Sequence, residues 1–444
     1  MLNTTIVALA TPFMESAIAI IRLSGKDAIK IINELFTKDL TNAKSQSIHY
    51  GYLKYRDEII DEVMVSIFRA PRTYTCEDMI EISTHGSLII INKVITACVA
   101  LGAVIAERGE FTKRAYLNGR IDLIQAESIN DIIHGDSEEA INIALSGLKG
   151  NVSNLIKDLK VKVEDIISHM EVNIDYPEYY DIEVETNDTI LPKVENLLLD
   201  IDVILNEAKI GMLIKNGIKT AIIGRPNVGK SSLLNAFLGK DKAIVTNIPG
   251  TTRDIVEGSI NLNGIKLDLL DTAGIHNSDD EVENIGIIKS KESLDEAELV
   301  LLVLDASNEL QDEDKELLEL TKNKTRIIVL NKCDLNKKIN IEGIEISAIN
   351  QDISLLKEKI INVLGFDIKD YKNKALLTSS RQIGLINKTK EALQNIKNLI
   401  NEGVPFDILS VDMKVAYDSL KEILGEISSL GYDDIIFSKF CVGK

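Results

Sequence analysis

The chain has 444 residues, of which 45% are apolar and 27% are charged, a composition that indicates folded domains and excludes a disordered chain. Its apolar runs are far shorter than the roughly 20 residues of a membrane-spanning helix. The net charge of −19 arises wholly outside residues 1–118, which carry 13 basic and 13 acidic side chains. The overall charge therefore does not indicate a nucleic-acid partner.

The first 118 residues are predicted to form an α+β domain. Short apolar or alternating runs with turn residues near their ends predict strands at residues 4–10, 18–23, 63–68 and 79–83. Apolar residues at helical spacing predict helices at residues 26–35 and 88–101.

Helical periodicity then dominates residues 119–215 and 372–444. Between these segments, apolar runs alternate with helical stretches, which is typical of an α/β domain. The predicted strands are residues 218–223, 265–270, 299–304 and 326–330. We therefore predict a multidomain α/β protein, with an N-terminal α+β domain over 1–118, an all-α domain over 119–215 and 372–444, and a doubly wound α/β domain inserted over 216–371.

A phosphate-binding loop follows the first strand of the inserted domain. The run Gly224-Arg225-Pro226-Asn227-Val228-Gly229-Lys230-Ser231 precedes a helical stretch, which is the context that a P-loop requires. Its glycines let backbone amides and the helix N-terminus approach phosphate oxygens. Lys230 supplies a positive charge to the β- and γ-phosphates, and Ser231 offers a hydroxyl to Mg²⁺.

Three later motifs complete a guanine-nucleotide site. Asp271-Thr272-Ala273-Gly274 follows a strand, so that Asp271 is predicted to hold Mg²⁺ through water and the Gly274 amide to sense the γ-phosphate. In Asn331-Lys332-Cys333-Asp334, the Asp334 carboxylate accepts from N1–H and the 2-amino group of guanine, donors that adenine lacks. Ser347-Ala348 is the predicted backbone contact to the guanine carbonyl. Together these motifs resemble those of the translation-factor-related small GTPases.

The group that positions the attacking water is not evident from these motifs. Ile275 stands where many signalling GTPases have a water-orienting glutamine. Arg253 is a candidate arginine finger, although a structural switch arginine is the more common role. The side-chain oxygen of Asn227 is suited to hold a monovalent cation, and K⁺ there would place positive charge where the transition state accumulates negative charge. A loop-stabilising hydrogen bond is the alternative role of Asn227.

Motifs outside the α/β segment carry a resemblance to one family. They are Thr5–Pro12, Ile20–Gly25, Tyr74–Glu81 with His85-Gly86, Arg108–Ala115, Leu117–Glu127 and the C-terminal Cys441-Val442-Gly443-Lys444. These stretches resemble the MnmE (also called TrmE) family of tRNA-modification GTPases along the whole chain. The chain departs from the family at Pro12-Phe13-Met14-Glu15-Ser16, which replaces a glycine-rich stretch, and at His276, where arginine is frequent.

The resemblance implies metal ligands and a catalytic glutamate. Asn227, Thr246, Ile248 and Thr251 match the family's K⁺ ligands, and Ser231 and Thr252 match its Mg²⁺ ligands. Glu283 matches the glutamate that positions the attacking water, and Lys230 and Arg253 complete the predicted catalytic set. The predicted GTP site comprises Gly224, Asn227, Val228, Gly229, Lys230, Ser231, Ser232, Thr246, Asn247, Ile248, Pro249, Gly250, Thr251, Thr252, Asp271, Thr272, Ala273, Gly274, Asn331, Lys332, Asp334, Ser347 and Ala348.

The resemblance also implies a folate site and partner proteins. Arg22, Glu81, Arg120 and Lys444 match positions that contact 5,10-methylene-tetrahydrofolate or its 5-formyl relative. The arginines would hold glutamyl carboxylates, and Glu81 would accept from pterin amino groups. The family forms homodimers through its N-terminal domain and a heterotetramer with the FAD-containing MnmG (also called GidA). The acidic charge of this chain favours binding of the tRNA mainly through that partner in the complex.

In the family, this complex adds an aminomethyl or carboxymethylaminomethyl group to carbon 5 of the wobble uridine. Two other functions stay open. A ribosome-assembly GTPase would need a basic RNA-binding domain, and residues 375–444 are helical and not basic. A nucleotide-dependent dimerisation switch acting as a scaffold would hydrolyse GTP without binding folate.

Four cysteines lie far apart, at positions 76, 98, 333 and 441, without a CxxC pair. This spacing argues against a zinc site or a disulfide framework and suits a reducing cytoplasm. Cys441 matches the C-terminal cysteine of the family, and a buried structural thiol is the alternative reading.

Overall fold

A computed structural model describes residues 4–175, 187–238, 256–262, 264–270, 294–365, 371, 374–427 and 432–444. The chain divides into two compact units. The first comprises Met1–Ile133, Gly147–Leu198 and Gly384–Lys444, and the second comprises His134–Ser146 and Leu199–Ile383.

The first unit contains a six-stranded sheet in the order β3-β4-β5-β2-β1-β6. Its strands are β1 (Ile6–Leu9), β2 (Ser16–Ser24), β3 (Ser47–Tyr55), β4 (Glu58–Phe68), β5 (Met79–Gly86) and β6 (Val104–Ile105). Neighbouring strands are antiparallel except for β1 and β6. Helices α1 (Ala28–Leu35) and α2 (Leu88–Ala100) share a buried core with the sheet, in which Ile32, Ile82 and Val94 are fully enclosed.

The predicted strands and helices of this region are confirmed, but β3, β6 and helix α3 (Glu110–Leu117) were not predicted. Strand β3 exposes Ile48, Tyr50 and Tyr52, so its pattern lacks the usual alternation of apolar inside and polar outside. Strand β6 has two residues, too few for a period. Helix α3 buries Arg114 together with Phe111. Because a charged residue lies on its buried face, the spacing of apolar residues does not predict this helix.

Helices follow one another through most of the rest of the chain outside the second sheet, as predicted. They are α4 (Leu123–His134), α5 (Glu138–Leu148), α6 (Asn151–Asp175), α7 (Asn187–Asn216), α11 (Ser380–Asn401), α12 (Phe406–Leu424) and α13 (Tyr432–Ser438). Helix α12 packs along α6, where the hydroxyl of Tyr417 donates to Glu164. Among the described helices, none has a stretch long and apolar enough to cross a bilayer.

The second unit contains a six-stranded sheet in the order β12-β11-β10-β7-β9-β8. Its strands are β7 (Ile218–Ile223), β8 (Val256–Leu262), β9 (Ile265–Leu270), β10 (Leu299–Asp305), β11 (Arg326–Asn331) and β12 (Ile344–Glu345), and its helices include α8 (Lys230–Leu238), α9 (Asp312–Leu320) and α10 (Ser354–Leu364). All neighbouring strands are parallel except β8 and β9.

Both faces of this second sheet are buried. Along β10, Leu299, Leu301 and Val303 belong to one apolar cluster, and the alternate residues Val300, Leu302 and Leu304 belong to the other. A parallel sheet covered on both sides requires such uninterrupted apolar strands. The four predicted strands are confirmed, β8 and β12 were missed, and the predicted multidomain α/β class is confirmed.

Candidate functional site

At two positions of the phosphate loop, neighbouring atoms lie so close to the backbone that only glycine fits. Gly224 has φ +157°, and a Cβ there would lie 2.3 Å from the carbonyl oxygen of Val303. Gly229 has φ +98°, and a Cβ there would lie 2.2 Å from the side-chain nitrogen of Asn331. Any larger residue would collide at both positions, so the loop depends on glycine for its path between β7 and α8.

Lys230 is the first residue of α8 and turns back into the loop. Its ammonium donates to the carbonyl oxygens of Gly224 at 2.7 Å and Arg225 at 2.8 Å. Burial lowers the pKa of Lys230. The Lys230 ammonium is thus held against the phosphate loop, beside the first turn of α8, where Ser231 and Ser232 are exposed. Asn227 is also exposed and has a left-handed backbone, with φ +63°.

Asn331 connects the phosphate loop to the predicted base-binding loops. Its side-chain nitrogen donates to the carbonyl oxygen of Val228 at 2.8 Å, and its side-chain oxygen accepts from the amide of Ala348 at 3.0 Å. Asn331 is buried, so both bonds are shielded from water. The exposed Asp334 accepts from the hydroxyl of Ser347 at 2.7 Å. Three predicted motifs therefore meet at the carboxyl ends of β7 and β11.

Asp305 also belongs to this region, and sequence reasoning missed it. It ends β10, pairs in register with Asn331, and accepts from the ammonium of Lys332 at 2.7 Å. Burial would raise the pKa of Asp305, but hydrogen bonds from Lys332, Ser307 and Asn308 outweigh it and lower the pKa to about 2. The available signal was an acidic residue directly after the apolar run Leu299–Leu304.

The switch segments of the predicted site lie outside the described residues. They are Thr246, Asn247, Ile248, Pro249, Gly250, Thr251, Thr252, Arg253, Asp271, Thr272, Ala273, Gly274, Ile275, His276 and Glu283. The described part of the predicted nucleotide site is the phosphate loop with the start of α8 and the two base-binding motifs.

The predicted folate residues meet in the first unit. Arg22 on β2 lies opposite Glu81 on β5, and its Nε and Nη2 donate to the Glu81 carboxylate at 2.9 Å and 2.7 Å. The third guanidinium nitrogen, Nη1, donates to the carbonyl oxygen of Gly443 at 3.0 Å. Gly443 has φ +88°, and a Cβ there would lie 2.2 Å from the carbonyl oxygen of Leu9, so the C-terminal segment passes close to β1.

The ring of Tyr74 lies against both arginines of the predicted folate site. Its ring faces the guanidinium carbon of Arg120 at 4.5 Å and that of Arg22 at 5.7 Å, and its hydroxyl forms a hydrogen bond with Thr112. The carbonyl oxygen of Lys444 accepts from the amide of Phe111 at 3.2 Å. Burial and the nearby guanidinium of Arg22 lower the pKa of the Lys444 side chain. The structure thus gathers four residues that lie far apart in the sequence.

Comparison with known proteins assigns the family. The model of the MnmE helical domain matches residues 123–441, and that of the GTP-binding protein TrmE N-terminus matches residues 5–120. The chain belongs to the MnmE family of tRNA modification GTPases. As a member of the MnmE family it is a GTP hydrolase, and the predicted phosphate loop and the predicted guanine-binding motif lie in the second unit.

Curated relatives are similar over nearly the whole length. The tRNA modification GTPase MnmE of Lactobacillus johnsonii is 46% identical over 99% of this chain and 98% of its own. That of Streptococcus thermophilus is 45% identical over the same shares. Among solved structures, the G domain of the T. maritima FeoB iron transporter is 30% identical and covers 33% of this chain and 98% of its own, at a TM-score of 0.26.

Proposed function

We propose that this MnmE-family GTPase works in the cytoplasm as a homodimer, with a FAD-containing partner subunit of the MnmG kind. Together they would add an aminomethyl or carboxymethylaminomethyl group to carbon 5 of the wobble uridine of certain tRNAs. The one-carbon unit would come from methylene-tetrahydrofolate. Residues 1–118 would bind folate and dimerise, 119–215 and 372–444 would form the helical domain, and 216–371 would hydrolyse GTP.

The group around Arg22 is the observation that carries the folate part of the proposal. Its guanidinium is fixed by Glu81 and by the carbonyl of Gly443, and Arg120 lies against the same ring of Tyr74. Two arginines beside one aromatic ring and one carboxylate are suited to a ligand with carboxylates, a flat heterocycle and amino groups. Folate has all three.

The described residues of the GTP site fit the groups assigned to them. The exposed side chain of Ser231 at the start of α8 is a suitable Mg²⁺ ligand, with Thr252 as the second. The exposed Asn227 offers a side-chain oxygen for K⁺, with Thr246, Ile248 and Thr251 as further ligands. Bound there, the cations would neutralise charge on the phosphates, while Lys230 holds its ammonium at the loop.

Replacing Glu283 by alanine is expected to lower the rate of GTP hydrolysis by about 10²–10³-fold, because a positioned carboxylate would no longer orient the attacking water. GTP affinity is expected to change little. Phosphate release under single-turnover conditions measures the rate, and titration with a fluorescent GTP analogue measures affinity. Glu281→Ala, from the same acidic run, is the matched control and should hydrolyse normally. A normal rate in Glu283→Ala would remove Glu283 from its role.

Exchange of K⁺ for Na⁺ at constant ionic strength is expected to slow hydrolysis by about tenfold or more, because a smaller ion fits the same ligands poorly and stabilises the transition state less. Asn227→Ala should reduce this difference between the salts. Turnover assays in both salts, with the wild-type chain and the variant, test the assignment. Equal rates of the wild-type chain in both salts would contradict the K⁺ site.

The modification itself is tested by nucleoside mass spectrometry of total tRNA. Cells that lack the protein should lose the 5-substituted wobble uridines, and the wild-type chain should restore them. Arg22→Met should fail to restore them while hydrolysing GTP, because the folate site is lost. Arg56→Met is the matched control, since Arg56 is an exposed arginine that also stacks on a tyrosine, Tyr55. An unchanged nucleoside profile without the protein would favour the scaffold function.

A further inference from the structure

Among the described carboxylates near the guanine-binding motif, Asp305 accepts the most hydrogen bonds. Its side chain is 6% exposed. One oxygen accepts from the amide of Ser307 at 2.9 Å and from its hydroxyl at 2.6 Å. The other accepts from the side-chain nitrogen of Asn308 at 3.0 Å and from the ammonium of Lys332 at 2.7 Å. Three of these bonds stay within one turn, and only the Lys332 bond reaches the nucleotide site.

The topology explains why this pair forms. Strands β10 and β11 are parallel neighbours, and Asp305 lies opposite Asn331 at their carboxyl ends. The chain then turns sharply, because Lys332 has a left-handed backbone with φ +67°, which is unusual for a residue with a side chain. The Lys332 side chain is 33% exposed, and its ammonium is directed to Asp305.

Two effects oppose each other when the Lys332 side chain binds a nucleotide: packing of its stem and the loss of its conformational freedom. Lys332 lies between Asn331, which ties down the phosphate loop, and Asp334, the guanine acceptor. A lysine stem packs well on a flat ring, but a free lysine loses rotamer entropy when it is fixed. A buried carboxylate that already holds the ammonium removes much of this cost before the nucleotide arrives.

We infer that Asp305 is a positioning residue for guanine-nucleotide binding, which holds the Lys332 side chain beside the base pocket. Asp305 does not touch the nucleotide. It acts through Lys332, so its removal weakens the capture of GTP and leaves the hydrolysis step unchanged. The inference rests on the GTPase activity of the family and is independent of the tRNA and folate proposals.

The pH behaviour of the pair agrees with this role. The depressed pKa of Asp305, about 2, keeps the carboxylate charged at every pH at which the protein would bind nucleotide. The contact between Asp305 and Lys332 therefore does not switch with physiological pH. The stabilisation from the charged Asp305 carboxylate is fully present above the ordinary pKa of an aspartate and is lost only as the pH falls toward 2.

The test is a double-mutant cycle on the full chain, with KM and kcat for GTP as readouts. Asp305→Asn keeps the shape of the side chain but loses its charge, and is expected to raise KM about tenfold with kcat within about twofold of wild type. Lys332→Met keeps the stem but loses the ammonium, and is expected to raise KM to a similar extent. The double variant should bind GTP no more weakly than Lys332→Met alone.

Two controls separate positioning from a structural role of the turn. Ser307→Ala removes a bond within the turn but leaves the Lys332 pair, and should leave KM unchanged. Glu345→Gln neutralises the exposed partner of Lys337 on the neighbouring strand β12, and should also leave KM unchanged. These two variants and Lys332→Met keep the test available even where Asp305→Asn folds poorly.

Three results would overturn the inference. The first is an increase in KM from Asp305→Asn that is just as large in the Lys332→Met background. The second is a loss of kcat with an unchanged KM. The third is an increase in KM for Ser307→Ala that equals the increase for Asp305→Asn or Lys332→Met, which would assign the effect to the turn.

Discussion

Replacing Lys230 by methionine is expected to lower the rate of GTP hydrolysis by about 10²–10³-fold, or about 3–4 kcal/mol of transition-state stabilisation. The ammonium is held at the phosphate loop by the carbonyl oxygens of Gly224 and Arg225, 2.7 Å and 2.8 Å away. Bound phosphates are stronger acceptors than carbonyls, so the charge is already placed where negative charge accumulates. Methionine keeps the length of the side chain but brings no charge.

The measurement is phosphate release at saturating GTP, together with the affinity for GTP and GDP. Lys315→Met is the matched control, because Lys315 is an exposed lysine on α9 that pairs with the exposed Asp312. The control should hydrolyse GTP at the wild-type rate. If Lys230→Met also did so, hydrolysis would have to take place outside this phosphate loop.

Replacing Asp334 by asparagine is expected to lower GTP affinity by about 10³-fold and to create a preference for xanthosine triphosphate. The Asp334 carboxylate offers two acceptors to the two donors of guanine. Asparagine offers one acceptor and one donor. Xanthine has N1–H and a carbonyl at carbon 2, which match that pair, whereas the 2-amino group of guanine would face a second donor.

Competition binding between GTP and xanthosine triphosphate measures the ratio of the two affinities directly. Asp312→Asn is the control for the change of charge, because the Asp312 side chain is 99% exposed and lies on α9. Ser347→Ala should cause a smaller loss of affinity, because Ser347 only donates to Asp334 at 2.7 Å. A variant Asp334→Asn that still preferred GTP would place the recognition of the base elsewhere.

Local sequence was enough to predict the nucleotide-binding core. The loop from Gly224 to Ser231 directly follows the apolar strand β7, and the motif Asn331–Asp334 begins at the last residue of the apolar strand β11. Strand β10 was equally clear, because its unbroken apolar run suits only a strand buried on both faces. These features depend on residues next to each other in the chain, which is why a pattern reveals them.

The missed elements lack the usual pattern because of a partner elsewhere in the fold, exposed apolar side chains or short length. Helix α3 buries Arg114 because Glu77 and Glu110 accept from its guanidinium, and one of these partners lies in a distant loop. Strand β3 leaves tyrosines and Ile48 exposed, and strand β12 has only two residues and exists because β11 lies beside it. Propensity and periodicity carry no information about such partners.

The sequence by itself was enough to predict the phosphate loop and the preference for guanine and to identify the family, because each rests on contiguous motifs. Only the tertiary structure decided how Arg22 is bound, since its partners Glu81 and Gly443 are 59 and 421 residues away. It alone joined Lys332 to Asp305, 27 residues apart, at the ends of adjacent parallel strands. The physical reason is that burial and charge pairing are properties of the folded arrangement, whereas motifs are properties of the chain.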